Sequence, residues 1–220
     1  MPLEEIDLDE MEPALPEEAA NVIDEANRRI DELFETERNR KYPKYLPSDP
    51  APFYSALAFL TERDLPLGKV FCEWGSGFGV HACLAALLGY EAYAIEIEEE
   101  LAQLADELAR ALKLDVTTLC TSYVPEGLES YAGIDGEVLL TPDEMAFRDH
   151  DEDQFEPTYD GMPHTCSEVD VYFMYPHPAD QDFALSMFDA VAVEGAIFLA
   201  YYAQGDIHAY RKADSGDDLL

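Results

Sequence analysis

Two kinds of hydrophobic pattern alternate along the chain. Short runs rich in apolar and β-branched residues, which are typical of buried strands, cover 69–74, 91–97, 115–121, 169–174 and 195–202. Before and between them, apolar residues recur at helical spacing over 16–34, 52–62, 80–88, 98–112 and 180–191. Strands that alternate with helices predict an α/β fold with a mostly parallel sheet and helices on both faces.

The first of these strands ends in a glycine-rich turn that passes directly into a helix. Gly75, Gly77 and Gly79 read G-x-G-x-G, and Val80 stands where the dinucleotide fingerprint G-x-G-x-x-G needs its third glycine. No Gly-Lys-Ser/Thr follows, so a P-loop is excluded as well. A strand that turns through glycines onto a helix N-terminus lets the backbone approach a ligand and offers it unpaired N–H groups. This turn is therefore the candidate binding loop.

Two acidic residues flank the turn at positions that suit a nucleoside ligand. Glu73 lies two residues before Gly75, at the carboxyl end of its strand. Glu96 lies near the end of the next strand, about 20 residues past the turn, which is the reach expected of an acid that grips ribose hydroxyls. Because the carboxyl ends of parallel strands meet at one edge of a sheet, we expect both acids beside the glycines.

The glycine turn, the two acids and the helix after them resemble the first two motifs of class I S-adenosylmethionine-dependent methyltransferases. The resemblance extends in order over about residues 52–202 and implies a Rossmann-like, doubly wound fold with S-adenosyl-L-methionine as cofactor. In that family the glycine loop backs onto the methionine moiety, the acid before it helps to hold the amino end of the cofactor, and the acid after the second strand binds the ribose. The cofactor-binding residues that the resemblance implies are Glu73, Gly75, Ser76, Gly77, Gly79 and Glu96.

The ends of the third and fourth strands supply the remaining candidates. Where the family often has an acid that contacts the adenine amine, this chain has Ser122 and Tyr123, so a hydroxyl or the backbone would make that contact. The fourth strand, which in the family ends beside the transferred methyl group, runs into Tyr175 and His177. His177 is the candidate general base, since imidazole titrates near neutrality, and Tyr175 would orient the substrate. The alternative for His177 is a loop residue that caps or packs.

The resemblance implies methyl transfer to an unidentified acceptor, either a protein side chain or a small molecule. The Tyr-Pro-His-Pro loop after the fourth strand matches the Asn/Asp-Pro-Pro-aromatic motif of amide- and adenine-N methyltransferases only loosely, so that substrate class does not carry over. A catalytically inactive cofactor-binding or protein-interaction module of the same fold is an alternative. The degraded loop favours this alternative, and the intact glycine turn opposes it. A nucleotide-dependent oxidoreductase is disfavoured by the glycine spacing.

The chain divides into three parts. Residues 1–15 are acidic and interrupted by prolines, which predicts a mobile arm. Residues 16–50 read as a helix and a proline-rich linker. Because segments just before the core often cover the ligand in the family that the chain resembles, Tyr42 and Tyr45 are candidates for a lid; the alternative is a connector whose tyrosines pack on the surface. Residues 51–220 are expected to form the Rossmann-like domain.

The C-terminal part of the chain is short for the family, which usually closes its sheet with two more strands as an antiparallel pair. After the strand over 195–202, only residues 207–212 could supply such a strand. We therefore expect a sheet that is abbreviated at its C-terminal edge.

Acidic residues dominate the charge of the protein. With 48 Asp and Glu against 13 Lys and Arg, the formal net charge is -35 at pH 7. Such a field repels nucleic acid and anionic membranes, so neither is expected as a partner, while a cationic acceptor or a protein is permitted. An acid-rich surface is also a general means of staying soluble. The sequence does not indicate an oligomeric state.

A basic cluster stands out against this acidic background at the end of the first helix. Cations are favoured at a helix C-terminus and pair with nearby acids, and this interpretation is preferred over a site for an anionic ligand. The members of the basic cluster are Arg28, Arg29, Arg38, Arg40, Lys41 and Lys44.

Cysteine usage and the N-terminus indicate a cytoplasmic protein. The four cysteines are scattered without a C-x-x-C pair and read as reduced core residues. The N-terminus is acidic where a signal peptide needs basic residues, and no segment approaches the ~18 unbroken apolar residues of a membrane span. No metal is expected, because the alternating acids over 149–156 have Gln154 where a calcium loop needs glycine.

Overall fold

The computed structural model describes residues 3–13, 15–126, 128, 157–202 and 205–213. Within these ranges the strands are β1 (Leu3–Ile6), β2 (Val70–Trp74), β3 (Glu91–Glu96), β4 (Val116–Cys120), β5 (Val171–Met174), β6 (Ile197–Tyr201) and β7 (Ile207–Lys212). The helices are α1 (Glu17–Glu35), α2 (Pro50–Glu62), α3 (Val80–Leu87), α4 (Glu99–Leu112) and α5 (Gln181–Val191), with short 3-10 turns at Arg38–Lys41 and Cys166–Glu168. The strands form one sheet in the order β1-β7-β6-β5-β2-β3-β4.

Five adjacent strands of the sheet, from β6 to the edge strand β4, run parallel to one another. β2 pairs with β3 and β5, β3 pairs with β4, and β5 pairs with β6. From β2 the chain moves outward to β3 and β4 and then returns to the other side of β2, so the strand order reverses between β2 and β5. Ligands of open α/β sheets bind outside the carboxyl ends of the strands at such a reversal. The sheet confirms the doubly wound, mostly parallel fold that was predicted.

Side chains of the central strands alternate between two covered faces, as the pleat requires. On one face Phe71 and Phe173 pack with helices α1 to α4, and Phe53 of α2 meets their rings at centroid distances of 5.6 and 4.6 Å. On the other face Trp74 and Tyr172 lie 4.6 Å apart and pack with α5. Because helices cover both faces, the strands read as nearly continuous apolar runs.

The first strand comes from the segment predicted to be a mobile arm. Leu3–Ile6 pairs antiparallel with β7, which in turn pairs antiparallel with β6, so β1 runs parallel to the central strands. The structure thus corrects the prediction for these residues. The C-terminal part supplies one strand, as expected of an abbreviated edge, and the N-terminal segment supplies the next. The sequence pattern does not reveal β1, because two of its four residues are acidic and its partner lies at the other end of the chain.

β7 also fixes the end of α5. Lys212 is buried, and its ammonium donates hydrogen bonds to the backbone carbonyls of Asp189 and Ala192, the latter at 2.7 Å. Burial lowers the pKa of Lys212. The side chain thereby caps carbonyls that a helix leaves unpaired at its C-terminus. In the described ranges, no helix has the length and apolar character needed to cross a bilayer.

Candidate functional site

The glycine turn between β2 and α3 has a backbone that only glycine adopts without strain. Gly75, Gly77 and Gly79 have φ angles of 69°, 53° and 64°, which lie in the left-handed region. The amide of Gly79 donates to the Ser76 carbonyl at 2.7 Å, and the amide of Ser76 donates to the Ile95 carbonyl of β3 at 2.8 Å. The loop is therefore closed on itself and attached to the neighbouring strand.

Glu73 stands at the end of β2 and caps α3 from outside the helix. The N-cap residue Gly79 has no side chain, and the Glu73 Oε2 atom instead accepts the amide hydrogen of Ala82 at 2.9 Å. Its Oε1 atom lies 2.6 Å from Nδ1 of His81. Glu73 is 2% exposed, so both oxygens are held inside the protein by hydrogen bonds.

His81 connects Glu73 to the linker that precedes α2. Its Nε2 atom lies 3.0 Å from the hydroxyl of Ser48, which places Ser48, His81 and Glu73 in one hydrogen-bonded chain. The imidazole ring is packed between Phe53 and Phe173, at centroid distances of 4.9 and 4.2 Å. Sequence reasoning missed Ser48, and the only available signal was a histidine in the first turn after the glycines.

Glu96 binds the glycine loop from β3. Its Oε2 atom accepts the amide hydrogen of Gly77 at 2.7 Å, and its Oε1 atom accepts that of Glu98 at 2.9 Å. Burial raises the pKa of Glu96, and the hydrogen bonds from the backbone oppose that rise. Glu73 and Glu96 therefore lie on the two sides of the glycine turn, as the sequence predicted, and each is anchored by a backbone amide.

The linker folds over the glycine turn. The ring of Tyr45 lies so close to Gly77 that a Cβ atom added there would collide with it, and it meets Phe78 at 5.8 Å. Burial raises the pKa of Tyr45, and the nearby charges of Glu73 and Glu96 raise it further. The Tyr45 ring therefore rests on the glycine turn.

The first turn of α4 holds the other end of the linker. The Tyr42 hydroxyl donates to Oε2 of Glu100, and Arg38 and Lys41 pair with the same carboxylate, with Nε of Arg38 at 3.0 Å from Oε1. The Tyr42 hydroxyl and the Arg38 guanidinium lower the pKa of Glu100 to about 2.

The remaining cations of the basic cluster that have recorded partners also face acids. Arg28 and Arg29 both bind Glu25, at 2.8 and 2.7 Å, and Arg40 binds Glu37 at 2.7 Å. These ion pairs agree with the interpretation of the basic cluster as paired helix-end cations.

Ser122 and Tyr123 follow β4 at the same edge of the sheet. The Ser122 hydroxyl accepts the amide hydrogen of Val124 at 3.1 Å, so it closes a local turn. The backbone carbonyl of Tyr123 accepts a hydrogen bond from the Tyr159 hydroxyl at 2.6 Å, and its ring meets Phe183 of α5 at 6.5 Å. The two residues therefore lie at the predicted strand end, with side chains engaged in local packing.

Tyr175 and His177 follow β5, on the other side of the reversal point. The Tyr175 ring meets Tyr201 of β6 edge-on, at 5.0 Å and 86°. His177 is exposed, and its Nδ1 atom accepts the amide hydrogen of Ala179 at 3.3 Å within its own turn. Tyr175 therefore packs on Tyr201 at the strand ends, while the side-chain hydrogen bond of His177 stays inside the turn before α5.

Metal ligation has no support in the part of the chain that the structure describes. No three His, Cys, Asp or Glu side chains are grouped there in a way that could hold a metal ion. The acidic run over 149–156 lies outside the described residues.

Comparison with known proteins gives likeness of structure. No protein-family model matches the chain, and no curated protein does. An RNA methyltransferase from Salinibacter ruber, solved with S-adenosyl-L-homocysteine, is 16% identical over 80% of this chain and 99% of its own, with a TM-score of 0.49. A 16S rRNA N2 G1207 methyltransferase from T. thermophilus, solved with AdoMet and guanosine, is 13% identical over 77% of this chain and 44% of its own, with a TM-score of 0.45. A SAM-dependent methyltransferase from Thiobacillus denitrificans, solved with S-adenosyl-L-homocysteine, is 16% identical over 74% and 53%, with a TM-score of 0.41.

Likeness at this level decides neither the activity nor the acceptor of this chain. It also gives no support to the expectation, drawn from charge, that nucleic acid is excluded as a partner. The strand order itself confirms the Rossmann-like, doubly wound fold that the sequence resemblance implied.

Proposed function

We propose that this chain is an S-adenosyl-L-methionine-dependent methyltransferase that acts on a protein side chain or a small molecule. The observation that carries the proposal is the placement of two anchored acids at a turn of three left-handed glycines: Glu96 accepts the amide hydrogen of Gly77, and Glu73 accepts that of Ala82 in α3. This turn lies at the point where the strand order reverses, which is where an open α/β sheet binds its ligand.

Two features of the glycine turn fit the cofactor. The Ser76 hydroxyl is buried and finds no hydrogen-bond partner among the described residues. A buried polar group without a partner costs about 1–3 kcal/mol, which a polar atom of a bound ligand would recover. At Gly75 the position of a Cβ atom is open, with no described atom within 4 Å. A ligand can therefore approach the backbone at that glycine.

Each residue of the site has a distinct task in this proposal. Glu73 would accept hydrogen bonds from the amino group of the cofactor through the lone pairs that His81 and Ala82 leave free. Glu96 would bind the ribose hydroxyls in the same way. Ser122 and Tyr123 would face the adenine. When bound, the cofactor supplies an electrophilic methyl group on its sulfonium.

The residues after β5 would handle the acceptor. Tyr175, held edge-on by Tyr201, would orient the acceptor, and orientation alone contributes much of the rate in such reactions. His177 would accept a proton where the acceptor must lose one, through the Nε2 atom that its turn does not use. The net charge of -35 favours an acceptor that carries positive charge.

A catalytically inactive, cofactor-binding module of the same fold is the second candidate. It is favoured by one observation, namely that His177 is exposed and uses its Nδ1 atom to hold its own turn. This candidate predicts cofactor binding without methyl transfer to any acceptor.

Isothermal titration with S-adenosyl-L-methionine and with NAD tests the proposal on the intact chain. We expect micromolar binding of the former, no binding of the latter, and a loss of about tenfold or more in Glu96→Gln, since that change weakens charged hydrogen bonds. Glu91→Gln is the matched control, because Glu91 is the first residue of the same strand and lies at the end away from the glycine turn.

Three results would contradict the proposal or narrow it. A chain that does not bind S-adenosyl-L-methionine is not a methyltransferase of this kind. A preference for NAD would identify an oxidoreductase. Binding of the cofactor together with no transfer of labelled methyl groups, in a screen of amines, hydroxyls and basic proteins, would identify the inactive module.

A further inference from the structure

We propose that His81 is a positioning residue that orients the carboxylate of Glu73 and so makes the site selective for ligands with an amino-acid end. This inference rests on the proposed function, because it assigns the part of the ligand that Glu73 receives. It also assigns Ser48, in the linker, as the residue that fixes His81.

The carboxylate of Glu73 has two separate anchors. The Ala82 amide donates to Oε2 at 2.9 Å, and a backbone donor of this kind fixes the position of one oxygen. A single anchor still lets the carboxylate plane rotate about the held oxygen. The contact of 2.6 Å between Oε1 and Nδ1 of His81 removes that freedom. The lone pairs that remain on Glu73 then point in one fixed direction.

The ring of His81 is itself held on all sides. Phe53 meets it edge-on at 4.9 Å and 84°, and Phe173 lies against it at 4.2 Å. The Ser48 hydroxyl occupies Nε2 at 3.0 Å. Two packed rings and two hydrogen bonds leave the imidazole one orientation, with Nδ1 facing Glu73.

Ser48 is in turn fixed by the start of α2. It stands directly before the N-cap residue Asp49, whose Oδ1 atom accepts the amide hydrogen of Ala51 at 3.1 Å. Pro50 occupies the first position of the helix. The linker therefore reaches Glu73 through His81, from a residue that adjoins the capped start of α2.

The same order of groups activates serine nucleophiles in hydrolases, and the surroundings of Ser48 argue against that role here. A nucleophilic serine needs hydrogen-bond donors, commonly backbone N–H groups, placed to stabilise an oxyanion. Pro50 has no N–H group, and that of Ala51 is bound to Asp49. Residues 49–51 thus offer at most one free donor, so the chain is better suited to hold Glu73 than to attack a substrate.

The ligand group that this arrangement suits is an ammonium. A fixed carboxylate with acceptor sites left over favours a cationic donor of defined direction. The α-amino group of S-adenosyl-L-homocysteine is such a donor, and 5′-methylthioadenosine lacks that end of the molecule. The difference between the affinities for these two ligands therefore measures the effect of Glu73 orientation.

Two substitutions of His81 separate positioning from packing. Asparagine places its amide nitrogen where Nδ1 stands, and glutamine places its own where Nε2 stands. We expect His81→Asn to keep affinity for S-adenosyl-L-homocysteine within about threefold of the native chain. We expect His81→Gln to bind that ligand with about tenfold lower affinity, as the loss of a hydrogen bond to a charged group predicts. Its affinity for 5′-methylthioadenosine should fall by less than about twofold. His164→Asn and His164→Gln are the matched controls, since His164 binds Glu91 at the far edge of the sheet.

The tautomer of His81 gives a second readout that needs no ligand. A long-range ¹H–¹⁵N spectrum of the native chain should show a proton on Nδ1, because Glu73 accepts there. This spectrum still tests the proposal if circular dichroism shows that His81→Gln does not fold. In that case Ser48→Ala should bind S-adenosyl-L-homocysteine with about threefold lower affinity and keep its affinity for 5′-methylthioadenosine.

The outcomes separate this inference from the proposed function. A neutral imidazole with its proton on Nε2 would overturn the inference. Equal losses for both ligands in His81→Gln would do the same, since they would indicate a general packing defect. Native protein that binds S-adenosyl-L-homocysteine in either of these cases leaves the proposed function standing. Native protein that binds neither ligand overturns the proposed function, and the inference with it.

Discussion

Glu5 and His208 come from opposite ends of the described chain and share a hydrogen bond of 2.7 Å between Oε1 and Nδ1. The other ring nitrogen of His208 lies 3.3 Å from Oδ2 of Asp206, and Tyr202 and Tyr210 flank the ring. Burial lowers the pKa of His208, and the two carboxylates outweigh that effect, so its pKa lies above the ordinary value. A protonated His208 therefore ties β1 to β7.

This contact predicts a stability that falls as the pH rises. A histidine whose pKa is raised by folding stabilises the native state fully below its unfolded value of about 6.5 and loses that contribution as the pH passes its folded value. We expect the free energy of unfolding of the native chain to exceed that of His208→Gln by up to about 1 kcal/mol near pH ~5.5 and by much less near pH ~9. Urea unfolding at both values measures it. His177→Gln is the control, because it changes an exposed histidine whose side-chain hydrogen bond stays within its own turn.

The N-terminal strand should contribute measurably to stability through Ile6. Its side chain packs against the core on the α1 to α4 face and is partly buried. We expect Ile6→Asp to lower the free energy of unfolding by about 1–3 kcal/mol, because it places a charge where an apolar side chain is packed. Equilibrium unfolding in urea gives the value, with Glu4→Gln at an exposed position of the same strand as control. Equal stability of the two variants would show that β1 adds nothing to the fold.

Lys212 should stabilise the native state through α5. Lys212→Met removes the donor to the carbonyls of Asp189 and Ala192 and leaves both acceptors buried. We expect a loss of about 1–3 kcal/mol in the free energy of unfolding. Lys44→Met, which removes an exposed lysine, should be neutral. A stability gain in Lys212→Met would mean that burying the ammonium costs more than its two hydrogen bonds return.

Gly77 and Tyr45 should be energetically coupled. Gly77→Ala adds a Cβ atom that meets the Tyr45 ring, at a φ of 53° that already disfavours it by roughly 1–2 kcal/mol. Gly75→Ala carries the same kind of backbone strain in open space. We expect Gly77→Ala to be the more destabilising of the two, and Tyr45→Ala to remove the excess in the double variant.

A double-mutant cycle in urea unfolding measures that coupling. Strictly additive losses for Gly77→Ala and Tyr45→Ala would show that the ring does not rest on the glycine turn. The affinity of the same variants for S-adenosyl-L-methionine reports whether the linker helps or hinders entry of the ligand.

The central strands and the site around the glycine turn could be predicted because their signals are local. β5 is buried on both faces and reads as an unbroken apolar run, so its place in the sheet follows from composition. The glycine spacing and the numbers of residues that separate the turn from Glu73 and Glu96 can be read directly from the sequence. Because the carboxyl ends of neighbouring parallel strands lie together, both acids are expected beside the turn. Glu73 and Glu96 lie at the ends of β2 and β3, beside the turn as expected.

The contacts that were missed all join segments far apart in sequence. Ser48 carries no signal of its own, since a serine between Pro47 and Asp49 reads as part of a proline-rich linker until His81 is placed beside it. β1 is too short and too acidic to register as a strand without β7. The Tyr45 ring was only a lid candidate among prolines, and its packing on Gly77 depends on the path of the whole linker.

The pairing of β1 with β7 sets the order in which the protein can be completed during synthesis. Glu5 and His208 are 203 residues apart along the chain. β1 therefore leaves the ribosome long before β7 and lacks its hydrogen-bonding neighbour until almost every other described element has emerged. When a domain folds during translation, a strand that pairs late stays exposed until its partner is made. During that time an unpaired acidic strand is less prone to pair with other chains than an apolar strand would be.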